Sequence, residues 1–272
     1  MNKKVVFLDI DGTLMGFDGK LPKSTKEAIQ KAKKNGHKMV ICTGRSRFQI
    51  YSSLLELGFH GIVGAAGAFV DSDGKEVFHQ YMEEEHRKWI TSYLEDNKFV
   101  YSMQAEEGIV INERCKQEMI KLYTKFSMDE TRLKRLIGNM DVREDVWNQP
   151  REEKVIYYSA PFPLVKVRED IAPHFDVVAS SIDKTDVYSG EIGIANINKS
   201  TGMQIYLNHV SMSKEDTIAI GDGPNDMEMV QFAKIGVAMG NSQQELKDVA
   251  DMVTKNIEED GIYYAFKQLQ LI

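Results

Sequence analysis

Two aspartates stand two residues apart at the end of a short apolar run. Val5-Val6-Phe7-Leu8 leads directly into Asp9-Ile10-Asp11-Gly12-Thr13. At strand spacing such a pair shares one side of the chain. Two carboxylates so close repel each other unless a cation or a shared proton intervenes. A second apolar run, Thr217–Ile220, ends in Gly221-Asp222-Gly223-Pro224-Asn225-Asp226, and a third, Lys38–Cys42, ends in Thr43-Gly44-Arg45. Ligands of open parallel sheets bind outside the carboxyl ends of the strands, so these three strand ends would open on one rim. A hard divalent cation with oxygen ligands, Mg²⁺, is the economical answer to so many carboxylates. It would also supply part of the charge reversal that an anionic substrate needs.

The elements that must position these residues follow an alternating grammar. Lys4–Leu8 and Lys38–Cys42 read as strands buried on both faces. Between them Ser24–Asn35 reads as a helix, with a Ser24/Glu27 capping box, an Ala28-Ile29-Ala32 stripe and Gly36 as its stop. Phe48–Leu57 reads as a helix ending at Gly58, and Gly61–Val70 as a third apolar run. The last third repeats the pattern: strands at Thr217–Ile220, Ile235–Met239 and Asp251–Thr254, helices at Met227–Ala233, Gln243–Ala250 and Gly261–Leu269. This predicts an α/β fold, a Rossmann-like three-layer core with a mostly parallel sheet.

The middle has α+β texture. Phe69–Phe78 reads as a hairpin around Asp73-Gly74. Glu83–Asn97 is an amphipathic helix, and strand-like runs follow at Gly108–Asn112, Val155–Ala160 and Asp176–Ser181. The expected organisation is a core first half at 1–82, an inserted α+β cap at 83–187 and a core second half at 188–272.

A random pair of acidic residues two apart carries little weight, since 41 of 272 residues are acidic and chance places such a pair at roughly 2% of positions. The ordered set is another matter: strand plus DxDGT, strand plus TGR, an isolated Lys199, strand plus GDGPND. On Phe7–Leu14, Ile41–Arg45, Asn198–Gly202 and Gly221–Met229 the chain resembles the haloacid dehalogenase superfamily, and within it the Cof-like phosphatases with a large (type IIB) α+β cap. Gly236–Asn241 and Glu259-Asp260-Gly261 are similar to that family's C-terminal phrases.

The resemblance implies roles. Asp9 attacks phosphorus and forms an aspartyl-phosphate. Asp11 protonates the leaving oxygen and then activates water. Mg²⁺ sits among the Asp9 carboxylate, the Asp11 backbone carbonyl and Asp222. Thr43, the Gly44 N–H, Lys199 and Asn225 hold the phosphoryl group, while Asn225 and Asp226 orient ligands and Lys199. Against these stand blander readings: Thr43 as a helix cap, Lys199 as a solvated lysine, Asn225 as a turn former. Arg45 is either a helix-start or a phosphate-rim residue. The cap aromatics Trp89, Tyr93, Tyr157 and Tyr158 read as core. Members of the family commonly carry Asn-Gly-Ala after the third strand, where this chain has Ala65-Ala66-Gly67-Ala68 and so Ala66 in place of the amide.

Composition bounds the rest. With 34 basic and 41 acidic residues the net charge is −7, which argues against a nucleic-acid binder. Cys42 and Cys115 form no CxxC pair, so neither structural zinc nor a disulfide framework is expected. No apolar run approaches a membrane span, and the run before Asp9 is too short for a signal peptide, so a cytoplasmic protein is expected. The reading is a Mg²⁺-dependent phosphatase of small phosphorylated metabolites, with no nucleic-acid, membrane or protein partner implied. The alternatives are a phosphoryl-transferring mutase of the same superfamily and a non-catalytic metabolite-binding regulator.

Overall fold

The structure, a computed structural model, describes residues 3–16, 19–125, 133, 137–179 and 187–272. Two compact units form. One comprises Met1–Arg45, Gln49–His79 and Ile197–Ile272, the other Ser46–Phe48 and Gln80–Asn196.

The first unit is built on β1 (Val5–Leu8), β2 (Lys38–Cys42), β3 (Gly61–Gly64), β4 (Phe69–Ser72), β5 (Lys75–His79), β12 (Thr217–Gly221), β13 (Ile235–Ala238) and β14 (Met252–Val253). They lie in the order β14-β13-β12-β1-β2-β3-β4-β5. Pairing is parallel from β14 to β3, and β4 and β5 extend the sheet antiparallel. Alternation along β1 shows why its residues are all apolar. Val6 and Leu8 join Ile41 and Ile220 under α1 (Lys23–Lys34) and α9 (Gly261–Gln268), with Ala28, Ile29 and Phe266 among the contacts. Val5 and Phe7 join Val40, Cys42 and Ala219 under α6 (Lys199–Val210) and α7 (Met227–Phe232), with Met203, Tyr206 and Met229. The sheet is thus buried on both faces, the three-layer arrangement expected.

Local expectations fail at two places. Helix α1 starts at Lys23 with Pro22 as its N-cap, which places Ser24 inside the helix; no side-chain cap forms and the Ser24 hydroxyl is buried without a hydrogen bond. The helix expected over Phe48–Leu57 is broken into a 3₁₀ turn at Arg47–Gln49 and a single turn α2 (Ser52–Leu55), because Tyr51 is extended (φ −62°, ψ 132°). The run Gly61–Val70 is two antiparallel strands joined by a 3₁₀ turn at Ala65–Gly67. The hairpin at Asp73-Gly74 forms as expected, both residues at positive φ.

The second unit carries β6 (Val100–Ala105), β7 (Gly108–Ile111), β8 (Met140–Val142), β9 (Glu152–Ser159), β10 (Phe175–Ala179) and β11 (Gly190–Ile194), in the order β10-β11-β9-β6-β7-β8. It extends beyond the expected border at 187 because β11 pairs with both β9 and β10. The expected strand at Asp176–Ser181 is seen as far as Ala179; residues 180 and 181 lie outside the described residues. Helices α3 (Glu84–Asp96) and α5 (Leu164–Ile171) pack Ile90, Leu94, Val167 and Ile171 with Phe99, Tyr101, Met103 and Tyr157. Trp89 departs from the core reading: it is 40% exposed and stacks on Phe175. Helix α4 (Glu113–Lys125) buries Cys115 and Met119. The remaining helix of the first unit is α8 (Gln244–Val249). Among the described residues, no helix is long and apolar enough to cross a membrane.

Candidate active site

Three parallel strands deliver the site. In the register Leu8 lies between Ile41 and Ile220. The next residue, Asp9, donates its N–H to the Ile220 carbonyl at 3.0 Å. Asp9 therefore emerges beside Gly221-Asp222 on one side and the Thr43 end of β2 on the other, the shared rim that the spacing predicts.

Lys199 comes from the first turn of α6. Asn198 caps that helix: its side chain accepts from the Thr201 N–H, and the Thr201 hydroxyl accepts from the Asn198 N–H. The helix end is brought in by Gly67, at φ +106°, where a Cβ would lie 2.0 Å from the Asn198 carbonyl oxygen. The result places the Lys199 Nζ 2.6 Å from Asp9 Oδ1 and 2.5 Å from Asp226 Oδ1, with Lys199 1% exposed. Lys199 is thus no solvated lysine.

Asp226 is fully engaged, since its Oδ2 accepts the backbone N–H groups of Asp222 and Gly223, both at 2.8 Å. Asp222 is buried and takes the Thr13 hydroxyl at 3.3 Å. The turn after β1 closes over it: Gly12 has φ +83°, and a Cβ there would sit 2.3 Å from Asp222 Oδ2. Asn241 ties the turn down, donating to the Gly12 carbonyl at 2.9 Å and accepting from the Ile257 N–H. Thr13 and Asn241 lay within the motifs, but their contacts span 209 and 229 positions and no linear pattern signals them.

Thr43 is buried and its hydroxyl accepts the Arg45 N–H at 3.2 Å, a local turn contact at the rim. Gly44 follows it, half-buried. Asn225 lies half-buried in the turn Pro224–Asp226, its Oδ1 over Gly223. The Asp11 carboxylate pairs with Arg45 through both of its oxygens. Ala65 and Ala66 both adopt positive φ, 48° and 54°. That conformation suits asparagine better than alanine, so both alanines hold strained positions.

Carboxylate oxygens of Asp9, Asp222 and Asp226 lie within 4.8 Å of one another. With all three carboxylates ionised, the single ammonium of Lys199 leaves two net negative charges in a buried space. Burial, then the charge of Asp226, pushes the Asp9 carboxyl well above the usual carboxylate range; Asp222 and Asp11 add to this and Lys199 opposes it. Burial alone would pull the Lys199 ammonium down, but Asp226 and Asp9 outweigh it and hold Lys199 above an ordinary lysine. The donor set is all hard oxygen and short of two positive charges, which fits a hard dication.

The chain and its fold have known counterparts. The haloacid dehalogenase-like hydrolase family matches over residues 6–266, and the chain belongs to it. It is 29% identical to the 5-amino-6-(5-phospho-D-ribitylamino)uracil phosphatase YitU of Bacillus subtilis (strain 168), covering 97% of this chain and 96% of that one. A hypothetical protein of Geobacillus kaustophilus HTA426 has the same fold at a TM-score of 0.82, with 28% identity and full coverage of both chains. The subclass IIB sugar phosphatase BT4131 superposes at a TM-score of 0.80 with 24% identity, over 99% of this chain and all of that one.

Proposed function

We propose that the chain is a Mg²⁺-dependent phosphatase that hydrolyses small phosphorylated metabolites, sugar phosphates or similar, through an aspartyl-phosphate on Asp9. The observation that carries this is the buried group of Asp9, Asp222 and Asp226 around Lys199, two positive charges short of neutrality at the carboxyl ends of parallel strands. The name and function of YitU support a phosphomonoester as the substrate class.

Asp9 Oδ1 is held by Lys199, so Oδ2 attacks phosphorus. The P–O bond to the leaving group breaks and Asp11 supplies the proton that makes the departing oxygen an alcohol. Water then attacks the aspartyl-phosphate, the bond from phosphorus to Asp9 breaks, and Asp11 takes a proton from that water. Thr43, the Gly44 N–H, Asn225 and Lys199 hold the phosphoryl oxygens, and Asp226 fixes Lys199 between itself and Asp9. Asp9 and Asp222, with the Asp11 backbone carbonyl, would hold Mg²⁺, which supplies charge neutralisation at the phosphoryl oxygens when bound. The Gln80–Asn196 unit serves as the cap that selects among leaving groups.

The test is phosphate release from p-nitrophenyl phosphate and a panel of sugar phosphates in Mg²⁺. Turnover is expected, and Asp9→Asn is expected to abolish it. Full activity in Asp9→Asn would remove Asp9 as the nucleophile; isomer exchange of a hexose phosphate without phosphate release would indicate a mutase.

A further inference from the structure

Arg45 has an elaborate mount that the reading so far does not use. Its Nε lies 2.7 Å from Asp11 Oδ2 and its Nη2 2.8 Å from Asp11 Oδ1, a fork-to-fork pair. Nη2 also donates to the Tyr51 hydroxyl at 3.1 Å, and Nη1 to the Gln49 carbonyl at 3.0 Å. The guanidinium lies over the Tyr51 ring, 4.6 Å from its centroid. Tyr51 and Gln49 reach these positions only because the helix expected over Phe48–Leu57 is broken at Tyr51.

The pair is partly open to water, its side chains 26% and 33% exposed. What a two-point pair on a braced guanidinium does supply is direction. We infer that Arg45 is a positioning residue for Asp11, aiming the carboxyl that exchanges protons with the leaving group and with water. The inference rests on the acid–base role of Asp11 in the proposed reaction.

Both Asp11 oxygens lie on Arg45, so proton transfer needs the pair to open from two points to one. One oxygen stays on the guanidinium. The other, protonated from solvent before the first turnover, turns to the leaving oxygen and gives up that proton as the P–O bond breaks. Asp11 regains a proton from the attacking water in the second half of the cycle. Arg45 donates hydrogen bonds throughout and loses no proton.

The experiment compares kcat/KM of the full chain, Arg45→Met, Arg45→Lys and Tyr51→Phe in Mg²⁺. Two substrates are used: the best sugar phosphate of the panel, and p-nitrophenyl phosphate, whose leaving group needs little protonation. Because kcat/KM covers only the first half-reaction, it isolates departure of the leaving group. Arg45→Met is expected to lower kcat/KM about a hundredfold on the sugar phosphate and less than about fivefold on p-nitrophenyl phosphate. Arg45→Lys, which keeps a one-point hold, recovers about tenfold of that loss. Tyr51→Phe gives a smaller loss with the same bias, and it carries the test should Arg45→Met melt early. Equal losses on the two substrates overturn the proposal, because a direct substrate contact or a general structural role would not sense the leaving group. An active Asp9→Asn overturns the hydrolase reading and this proposal together. An inactive Asp9→Asn with equal Arg45 losses overturns this proposal alone.

Discussion

The ammonium of Lys199 is almost completely buried between Asp9 and Asp226, and removing either side of that contact has opposite consequences. Lys199→Met would leave two buried carboxylates without their counter-charge. A loss of about 3–5 kcal/mol is expected, read from urea denaturation. Asp9→Asn removes a group that burial and its acidic neighbours already disfavour as a charge, while an amide oxygen can still accept from Lys199. Metal-free Asp9→Asn is therefore expected to show a higher urea midpoint than the parent even as activity disappears. A lower midpoint would show that the Asp9 carboxylate is a net stabiliser and that the acidic group is not under strain. A higher midpoint would show that the acidic group is held at the expense of stability, a trade often met in active sites.

At the scale of elements, the approach of α6 to the turn after β3 decides where Lys199 lies. Gly67 and Gly74 both have positive φ, but a Cβ on Gly67 meets the Asn198 carbonyl at 2.0 Å whereas one on Gly74 meets nothing within 4 Å. Gly74→Ala should cost only the backbone strain, about 1–2 kcal/mol, with activity retained. Gly67→Ala adds a collision with the cap of α6, so both stability and phosphate release should fall well below those of Gly74→Ala. Equal effects in the two variants would remove the close approach as the cause. In the second unit, β9 opens with Glu152, fully buried, its carboxyl oxygens without a hydrogen bond and Arg87 Nε 3.6 Å away. Burial pushes Glu152 from 4.5 up to about 8, with Arg87 and Arg143 pulling the other way. Between those values the folded chain keeps a proton that the unfolded chain has released. The stabilisation is complete below about pH 4.5 and is lost as pH rises through about 8. Urea midpoints from pH 5 to 8.5 should fall more steeply for the parent than for Glu152→Gln; parallel slopes would show that another group carries the dependence. The same strand shows where the sequence was hard to read. The core strands were legible because both faces are apolar, as in Val5–Leu8. Strand β6 hides Ser102 and Gln104 and β9 hides Glu152–Lys154, with Lys154 paired to Glu191 at 2.6 Å, so their polarity masks their burial.

Across the whole molecule, a dication at the rim would reconcile the net charge of −7 with an anionic substrate. The carboxylates at the rim were legible because each ends a strand or begins a helix within a short linear phrase, and parallel pairing brings those phrases together. The Arg45–Asp11–Tyr51 mount was not, since it depends on a break in a helix that its own periodicity favours. The Asp222 contacts with Thr13 and Asn241 were hidden for a related reason: they are made by chain closure over long separations. The charge arithmetic of the assembled site leads to the last expectation. Asp9, Asp222 and Asp226 with Lys199 leave two negative charges, which a dication bound to the folded state alone would neutralise. Chelation with EDTA should therefore lower the melting temperature, and Mg²⁺ at a hundred times its Kd should restore about 2.7 kcal/mol. The gain should vanish in Asp222→Asn, which removes a donor from the cluster. It should largely survive in Asp11→Asn, because the Asp11 carboxylate lies on Arg45 and outside the cluster. A Mg²⁺-induced rise that Asp222→Asn keeps would place the cation elsewhere; one that Asp11→Asn loses would put the Asp11 side chain, rather than its backbone, in the metal shell.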